Sequence, residues 1–171
     1  NYGSFVDRAI RSCFNQNFSQ NKFEIIVVND GSTDETKRIL ENYGEKIRVI
    51  NLTENMGLSY ARNIGIKKAL GRFIINLDAD DYFDENILLV ESLFLLRNYN
   101  FSAVSCDYFT VDEYERHIKK YDAEIDPIAC GIMFRKERLF EIGLYDESLI
   151  IWEEKDIKKK IYKLIFLFII L

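Results

Sequence analysis

The sequence predicts an α/β fold in which helices flank a mixed, mostly parallel sheet. Apolar runs of strand length recur along the chain, and helical segments lie between them. This alternation favours right-handed crossover connections and parallel strands. The first three runs each end in a polar loop, and ligands of open α/β sheets bind at that edge. The 171 residues fit one domain, which we assign to residues 1–171.

The elements follow in order from the amino end. A first helix is predicted where apolar residues share one face: Phe5, Ala9, Ile10, Cys13 and Phe14. The predicted strands cover residues 23–28, 47–52, 72–77 and 101–109. A last apolar run, residues 164–171, is interpreted as a buried strand or helix end, with a membrane-binding segment or an aberrant terminus as the alternatives.

Short polar motifs predict where the helices begin and end. "STDE" at 32–35 has the pattern of a capping box, and Gly44 is placed to end the helix that follows. Gly71 likewise follows the helical segment "LSYARNIGIKKAL". Residues 110–135 are charged and rich in tyrosine, which predicts an irregular region, and a short helix is predicted over 136–142.

Composition excludes some function classes. The formal net charge of -5 argues against a nucleic-acid-binding protein, which normally carries a basic patch. The three cysteines show no metal-binding spacing and cannot all be paired, so we expect a reducing cytoplasm. No signal peptide and no apolar run of membrane-spanning length is present. Attachment at the inner face of the membrane is the alternative location.

Four aspartates, Asp78, Asp80, Asp81 and Asp84, follow the third predicted strand. Like charges about 5 Å apart repel by roughly 3 kcal/mol at an effective dielectric near 20, so a cation is expected to offset the cost. Carboxylates suit Mg²⁺ or Mn²⁺, which bridge them to ligand phosphates. We expect Asp80, with Asp78 as the second candidate, to hold the metal, and Asp84 to cap the next helix.

Two rival acidic motifs fit poorly. A calcium-binding loop needs glycine at its sixth position and glutamate at its twelfth, where Phe83 and Leu89 stand. The phosphohydrolases of the haloacid-dehalogenase type have threonine or valine at the fifth position, where Tyr82 stands.

Two further motifs precede the acidic cluster. "VVNDGSTDE" places Asp30, Gly31 and Ser32 after the first strand, where an aspartate can accept a hydrogen bond from a base and glycine permits close approach. The alternative is that these residues only shape a turn and cap a helix. Arg62, near the start of its helix, can clamp a phosphate, or it is a solvated surface residue.

A late acidic group lies beside the only tryptophan, Trp152. Glu153, Glu154 and Asp156 are candidates for a general base, because an aromatic wall raises the pKa of a carboxylate by desolvation. The alternative is a charged helix start, where acidic residues favour the dipole.

Taken together, "VVNDGSTDET", "NMGLSYARNIGIKKALGRFIINLDADD", "GIMFRKERLFEIGLYDESL" and "WEEKD" resemble the family 2 inverting glycosyltransferases of the GT-A fold, of the type that builds bacterial surface polysaccharide. The resemblance implies a Rossmann-like domain and transfer of a sugar from a nucleotide-diphosphate donor, expected to be a UDP-sugar, to a saccharide or lipid-linked acceptor. It implies base recognition by Asp30, diphosphate contact by Arg62, and ribose and metal contacts by Asp78 and Asp80. The catalytic base of the family matches Glu154, with Glu153 and Asp156 as substitutes.

The chain departs from the family pattern at both ends. The first strand of the family is not recognisable before "NYGSF", and the resemblance fades after Asp156, so we expect a domain truncated at both ends. Two alternatives stay open: a nucleotidyltransferase of similar fold, and a fragment that binds nucleotide without turnover. The sequence does not determine the donor sugar, the acceptor or the oligomeric state.

Overall fold

The computed structural model describes residues 1–149, 155–157, 159–160 and 169–170. Its helices are α1 (Gly3–Phe14), α2 (Thr36–Glu41), α3 (Leu58–Lys68), α4 (Ile87–Arg97) and α5 (Lys136–Glu141). Its strands are β1 (Ile26–Asp30), β2 (Arg48–Leu52), β3 (Phe73–Ile75), β4 (Ala103–Ser105), β5 (Tyr108–Val111), β6 (His117–Tyr121), β7 (Met133–Arg135) and β8 (Ile169–Ile170). Residues 155–157 and 159–160 are also helical.

The described strands form three hydrogen-bonded groups. β1 and β2 are parallel, with Ile26 opposite Arg48 and Asp30 opposite Leu52. The second group has the order β3-β7-β4-β8 and β5 pairs with β6. β7 is antiparallel to both β3 and β4, while β8 is parallel to β4.

The prediction of a mixed α/β fold is confirmed, but the mostly parallel sheet is wrong for the described strands. Parallel pairing is confined to β1–β2 and β4–β8. The sequence reading missed β7, which inserts between β3 and β4. The chain enters β7 after a hairpin rather than after a crossover helix, and strands joined without a crossover pair in antiparallel fashion.

The predicted run 101–109 is two strands rather than one. The chain breaks between Ser105 and Tyr108 because the Asp107 carboxylate accepts a hydrogen bond from the Ala123 amide at 3.2 Å and pairs with Lys120 at 2.7 Å. These contacts start the β5–β6 hairpin, which occupies much of the region predicted to be irregular. The hairpin is further held by stacking of the Tyr108 and Tyr121 rings.

Helices cover both faces of β7, because alternate side chains of a strand point to opposite sides. Met133 packs into a cluster with α4, and Phe134 packs into a second cluster with Leu139 of α5. A third cluster joins α1 and α2 to the β1–β2 pair; its buried members are Val6, Ile10, Leu40 and Ile47. Burial of these apolar side chains, at about 1.5–3 kcal/mol each for the larger ones, drives the assembly.

A buried arginine fastens α4 to the central strand. Arg135 of β7 is 2% exposed and donates to the carbonyls of Leu95, Phe101 at 2.8 Å and Asn98 at 3.2 Å. The last carbonyls of a helix lack internal partners and carry partial negative charge, so the guanidinium satisfies them.

The predicted caps differ in detail from those observed. The capping box is absent: α2 begins at Thr36, and Asp34 Oδ1 accepts from the Thr36 amide at 3.1 Å. Ser32 lies too far before Thr36 to cap α2. Its amide instead donates to Asn29 Oδ1, within the turn after β1. Asp84 does not cap α4 directly but accepts from the amide of Asn86, the residue before the helix, at 2.9 Å.

Candidate functional site

The first part of the site is the turn that leaves β1. Asp30 is the last residue of the strand, and Gly31 has φ +67. A Cβ at Gly31 would lie 2.5 Å from the Glu54 carbonyl carbon and 2.6 Å from the Asn55 nitrogen. Both atoms belong to backbone that cannot swing aside, so the turn requires glycine for its φ and for the close approach.

The Asp30 carboxylate ties this turn to the loop before α3. Its Oδ1 accepts from the Met56 amide at 2.7 Å and its Oδ2 accepts from the Gly57 amide at 2.9 Å. Gly57 is the residue before the first turn of α3. Asp30 therefore sets where α3 begins, and each oxygen keeps a further lone pair for a ligand. Its predicted contact with a nucleotide base stays a prediction.

Asn1 holds the same turn from the other side. Its Oδ1 accepts from the Thr33 amide at 2.7 Å and the Asp34 amide at 3.3 Å. Asp34 in turn accepts from the Gly3 amide at 3.0 Å. Hydrogen bonds from the Thr36 hydroxyl and the Gly3 amide lower the pKa of Asp34 to about 2. Ser32, predicted to face the nucleotide, thus lies in a turn fastened at both ends.

The second part of the site is the pair formed by Arg62 of α3 and Asp78 after β3. Arg62 Nη2 lies 2.8 Å from Asp78 Oδ1, and the side chains are 6% and 34% exposed. Burial strengthens such a pair because little water screens it. The sequence predicted separate roles for these residues, and the structure brings them into direct contact.

Tyr145, to which the sequence assigned no role, connects the strands and helices behind this pair. Its ring lies 5.4 Å from the Arg62 guanidinium carbon, and its hydroxyl accepts from Asn76 Nδ2 at 2.8 Å. Asn63 exchanges two hydrogen bonds with the Tyr145 backbone, each 3.0 Å long. Arg62 is therefore held between a carboxylate and an aromatic ring that is only 3% exposed.

Asp78, Asp80 and Asp81 lie in one tight turn. The Asp81 amide donates to the Asp78 carbonyl at 3.1 Å, which closes a β-turn over residues 78–81. Partial burial of its carboxyl raises the pKa of Asp81, and the charges of Asp78 and Asp80 act in the same direction, while a hydrogen bond from Cys130 opposes them. Asp81, unassigned from the sequence, thus has a carboxyl that ionises less readily than that of a free aspartate.

The turn suits a metal that a ligand helps to hold. Among the described residues there is no group of three or more histidine, cysteine or acidic side chains placed to hold a metal ion. Asp80 is exposed, and no described residue donates to its carboxylate. The turn therefore offers the exposed carboxylate of Asp80 next to the carboxylate of Asp78, which is paired with Arg62. This fits Mg²⁺ or Mn²⁺, which commonly take one or two carboxylates and complete their shell with phosphates and water.

The proposed catalytic base falls outside the described residues. Glu153, Glu154 and Trp152 belong to that part of the chain, so their assignment stays a prediction. Asp156, the other candidate, is described, and its Oδ2 lies 2.6 Å from Lys160 Nζ. Its role as a substitute base likewise stays a prediction.

Sequence reasoning missed the residues that hold the site together. Asn1, Asn63 and Tyr145 act through contacts between residues 32 to 82 positions apart in the chain. Tyr145 stands inside the quoted motif "GLYDE", which was the one signal available. Nothing in the sequence singled out Cys130 or Arg8 as a site residue, because neither belongs to a motif of recognisable spacing.

Comparison with known proteins gives a family match over most of the chain. The model of "Glycosyl transferase family 2" matches residues 1–166. An uncharacterized glycosyltransferase of Rickettsia prowazekii (strain Madrid E) is 30% identical over 181 residues, covering 95% of this chain and 56% of the relative. TarS, a poly(ribitol-phosphate) beta-N-acetylglucosaminyltransferase of Staphylococcus aureus (strain Mu50 / ATCC 700699), is 34% identical over 98 residues, covering 56% of this chain and 17% of TarS.

Solved structures give the same fold. S. aureus TarS residues 1–349, in complex with UDP-GlcNAc, superposes with a TM-score of 0.79 at 23% identity and covers 94% of this chain and 50% of that one. The mannosyltransferase PcManGT of Pyrobaculum calidifontis, in complex with GDP-Man and Mn²⁺, superposes with a TM-score of 0.78 at 20% identity and covers 99% and 51%. These likenesses show the GT-A glycosyltransferase fold.

The chain covers only part of the length of its relatives. The chain spans about half, or less, of the length of the relatives it matches. Within the described residues, no helix has both the length and the apolar character needed to cross a membrane.

Proposed function

The chain belongs to glycosyl transferase family 2, and on that premise we propose that it transfers a sugar from a nucleotide-diphosphate donor to a saccharide or lipid-linked acceptor. A UDP-sugar is the proposed donor, because TarS, a relative of the same fold, has been solved with UDP-GlcNAc. The observation that carries the proposal is the acidic turn, in which Arg62 holds Asp78 at 2.8 Å while Asp80 faces solvent.

The donor is proposed to lie along the loops that follow β1 and β3. Asp30, Gly31 and Ser32 would meet the base, and their turn is already fixed by contacts within the chain. Asp78 would meet the ribose. Arg62, whose charge is held beside the same turn, would attract the diphosphate. Preformed contacts of this kind reduce the ordering cost of binding.

A divalent metal is proposed to join the donor to Asp80, with Asp78 as the second candidate ligand. PcManGT, which shares the fold, has been solved with GDP-Man and Mn²⁺. A bound Mn²⁺ or Mg²⁺ supplies Lewis-acid chemistry, which neutralises negative charge on a leaving diphosphate. The chain supplies the open carboxylate, and the donor phosphates would complete the coordination.

The acceptor hydroxyl is proposed to lose its proton to Glu154, with Glu153 and Asp156 as the substitutes. The deprotonated oxygen would then attack the anomeric carbon opposite the leaving diphosphate, which gives inversion in one displacement. Proton removal by a positioned carboxylate contributes typically about 10²- to 10⁴-fold to the rate. This role rests on the family resemblance of "WEEKD".

Calorimetry of UDP binding, with and without Mn²⁺, tests the donor site. The wild-type chain should bind UDP more tightly when Mn²⁺ is present, and Asp80→Ala should lose most of that gain. Glu85→Ala, which removes a nearby exposed carboxylate, is the control and should behave as wild type. Binding that ignores both Mn²⁺ and Asp80→Ala would overturn the site.

Glu154→Gln tests the base independently of the donor site. Transfer from a UDP-sugar to an acceptor should fall by about 10²-fold or more while UDP affinity is kept. If transfer persists, Glu154 is not the base. A wild-type chain that binds UDP with Mn²⁺ but transfers no sugar would be a nucleotide-binding fragment rather than an active transferase.

A further inference from the structure

We propose that Arg8 is a positioning residue that fixes the direction of the Asp80 carboxylate and couples the acidic turn to the β5–β6 hairpin. This inference rests on the proposed function, in which Asp80 meets the metal. Arg8 lies on α1, 72 positions from Asp80, and none of the motifs described above includes it.

The first contact is with the backbone of the acidic turn. Arg8 Nη2 donates to the carbonyl of Asp80 at 2.7 Å. Hydrogen bonds from a charged donor are stronger than neutral ones. The carbonyl and the carboxylate of Asp80 share one Cα, so holding the peptide plane restricts the directions that the side chain can take.

The second contact holds the guanidinium itself. Its carbon lies 4.8 Å from the centroid of the Tyr82 ring and 5.9 Å from that of Phe5. A planar guanidinium is attracted to aromatic faces, and two rings leave it few orientations. Tyr82 follows the acidic turn directly, so Arg8 contacts this loop at two points.

The third contact reaches the hairpin. Arg8 Nη1 lies 3.8 Å from Glu115 Oε1. Glu115 has φ 61, and its amide donates to the Asp112 carbonyl at 3.0 Å, so the hairpin turn presents its side chain in a fixed direction. Asp112 also accepts from the amides of Tyr114 and Arg116. Arg8 therefore joins α1, the acidic turn and the hairpin.

Two arginines thus contact two of the three aspartates of the turn, Asp78 and Asp80, in different ways. Arg62 binds the carboxylate of Asp78, whereas Arg8 binds the carbonyl of Asp80 and leaves its carboxylate open. This arrangement orients a metal ligand without competing with the metal for its oxygens. A side chain that only neutralised charge would be expected to pair with the carboxylate.

Positioning and charge make opposite predictions for removal of Arg8. A cation beside the turn repels a divalent metal, so if charge alone mattered, Arg8→Met would tighten Mn²⁺ binding. If positioning matters more, Arg8→Met should weaken Mn²⁺ binding in the presence of UDP, by about tenfold, the effect of losing roughly one hydrogen bond. Arg8→Lys, which keeps a donor, should recover part of the loss.

The measurement is calorimetric titration of Mn²⁺ into the chain with saturating UDP. Arg11→Met is the matched control, because Arg11 lies on the same helix, is 71% exposed and pairs with Asp7 on the surface. It should bind as wild type. Similar midpoints of thermal unfolding for Arg8→Met and Arg11→Met would show that Arg8→Met keeps the fold. If Arg8→Met unfolds at a much lower temperature, Arg8→Lys is compared with the wild type in its place. Unchanged or tighter Mn²⁺ binding overturns the proposal.

Hydrogen exchange of the hairpin amides gives a readout without metal or nucleotide. Arg8→Met and Glu115→Gln should both speed exchange in the turn over residues 112–116, and Arg11→Met should not. Unchanged exchange in Arg8→Met overturns the coupling to the hairpin. If the wild-type chain fails to bind UDP and Mn²⁺, both the proposed function and the role of Asp80 are overturned. If the wild-type chain binds both and Arg8→Met binds them equally well, only the role of Arg8 is overturned.

Discussion

Arg62 and Glu91 are both buried ionisable residues on helices, but Arg62 has an oppositely charged partner close by and Glu91 lacks one among the described residues. Arg62 lies 2.8 Å from the Asp78 carboxylate. Glu91 of α4 is 1% exposed, and neither of its carboxyl oxygens has a hydrogen-bond partner among the described residues. Burial alone raises the pKa of Glu91 to about 9. The charge of Arg62 therefore has a carboxylate partner, whereas the Glu91 carboxyl is held as the neutral acid at neutral pH.

The comparison separates two effects of burying a charged group. A buried ion with a partner stays charged and can orient that partner, and removing one member leaves the other exposed to the full desolvation cost. A buried acid without a partner gives up its charge and weakens folding wherever the unfolded chain would ionise. The first arrangement lies at the proposed donor site, and the second lies between α4 and β4, away from it.

Arg62→Met should have the largest effect. Breaking a fully buried ion pair costs about 3–5 kcal/mol, and the lower end applies here because Asp78 is 34% exposed. UDP affinity should also fall. Chemical denaturation and calorimetry measure the two effects, and Lys67→Met, an exposed cation on the same helix, is the control. The double variant Arg62→Met/Asp78→Asn should regain part of the stability; if it does not, the two residues do not act as a pair.

Glu91→Gln should stabilise the chain, and the gain should grow with pH. The folded pKa of Glu91 is above the unfolded value, so the contribution of Glu91 to stability is fully present below about pH 4.5 and is lost as pH rises toward 9. At pH 7 the gain reaches up to about 3 kcal/mol, at 1.36 kcal/mol per pKa unit.

Denaturation of wild type and Glu91→Gln at several pH values checks this. The two curves should meet near pH 4 and separate above it, and Glu91→Leu should remove the same slope. Glu41→Gln, an exposed position on α2, should keep the wild-type slope. A gap that stays constant with pH would show that Glu91 does not titrate in this range.

Tyr145→Phe should have the smallest effect. It removes the hydroxyl that accepts from Asn76 at 2.8 Å but keeps the ring beside Arg62. Loss of one hydrogen bond costs about 1 kcal/mol, and UDP affinity should change little. Tyr145→Leu, which removes the ring as well, should weaken both stability and UDP binding more. Equal effects of the two variants would show that the ring does not support Arg62.

Local sequence patterns predicted much of the fold. The β2 strand and the α5 helix lie within one residue of their predicted positions, because apolar spacing decides which face of each segment is buried. The β5–β6 hairpin and β7 were missed. The hairpin is rich in charged residues, and β7 has only three residues, so neither has a strong local pattern. These segments become strands by pairing with other segments rather than by local preference.

The candidate site divides in the same way. The acidic turn, Asp30, Gly31 and Arg62 were recognised because residue type and spacing carry that information, and the family follows from the same motifs. The contact between Arg62 and Asp78, and the exposure of Asp80 beside it, could not be predicted. Both depend on how α3 packs against the end of β3.

The sequence by itself determined the α/β class, the family and the group of acidic residues proposed to bind a ligand, because these depend on composition and on spacing along the chain. Only the tertiary structure decided which aspartate is bound and which is open, that Arg8 contacts the acidic turn, and that Asn1 and Tyr145 contact the turn after β1 and the Arg62 side chain. Residues 72 and 82 positions apart meet only after the core has formed, and no local pattern records which of them will touch.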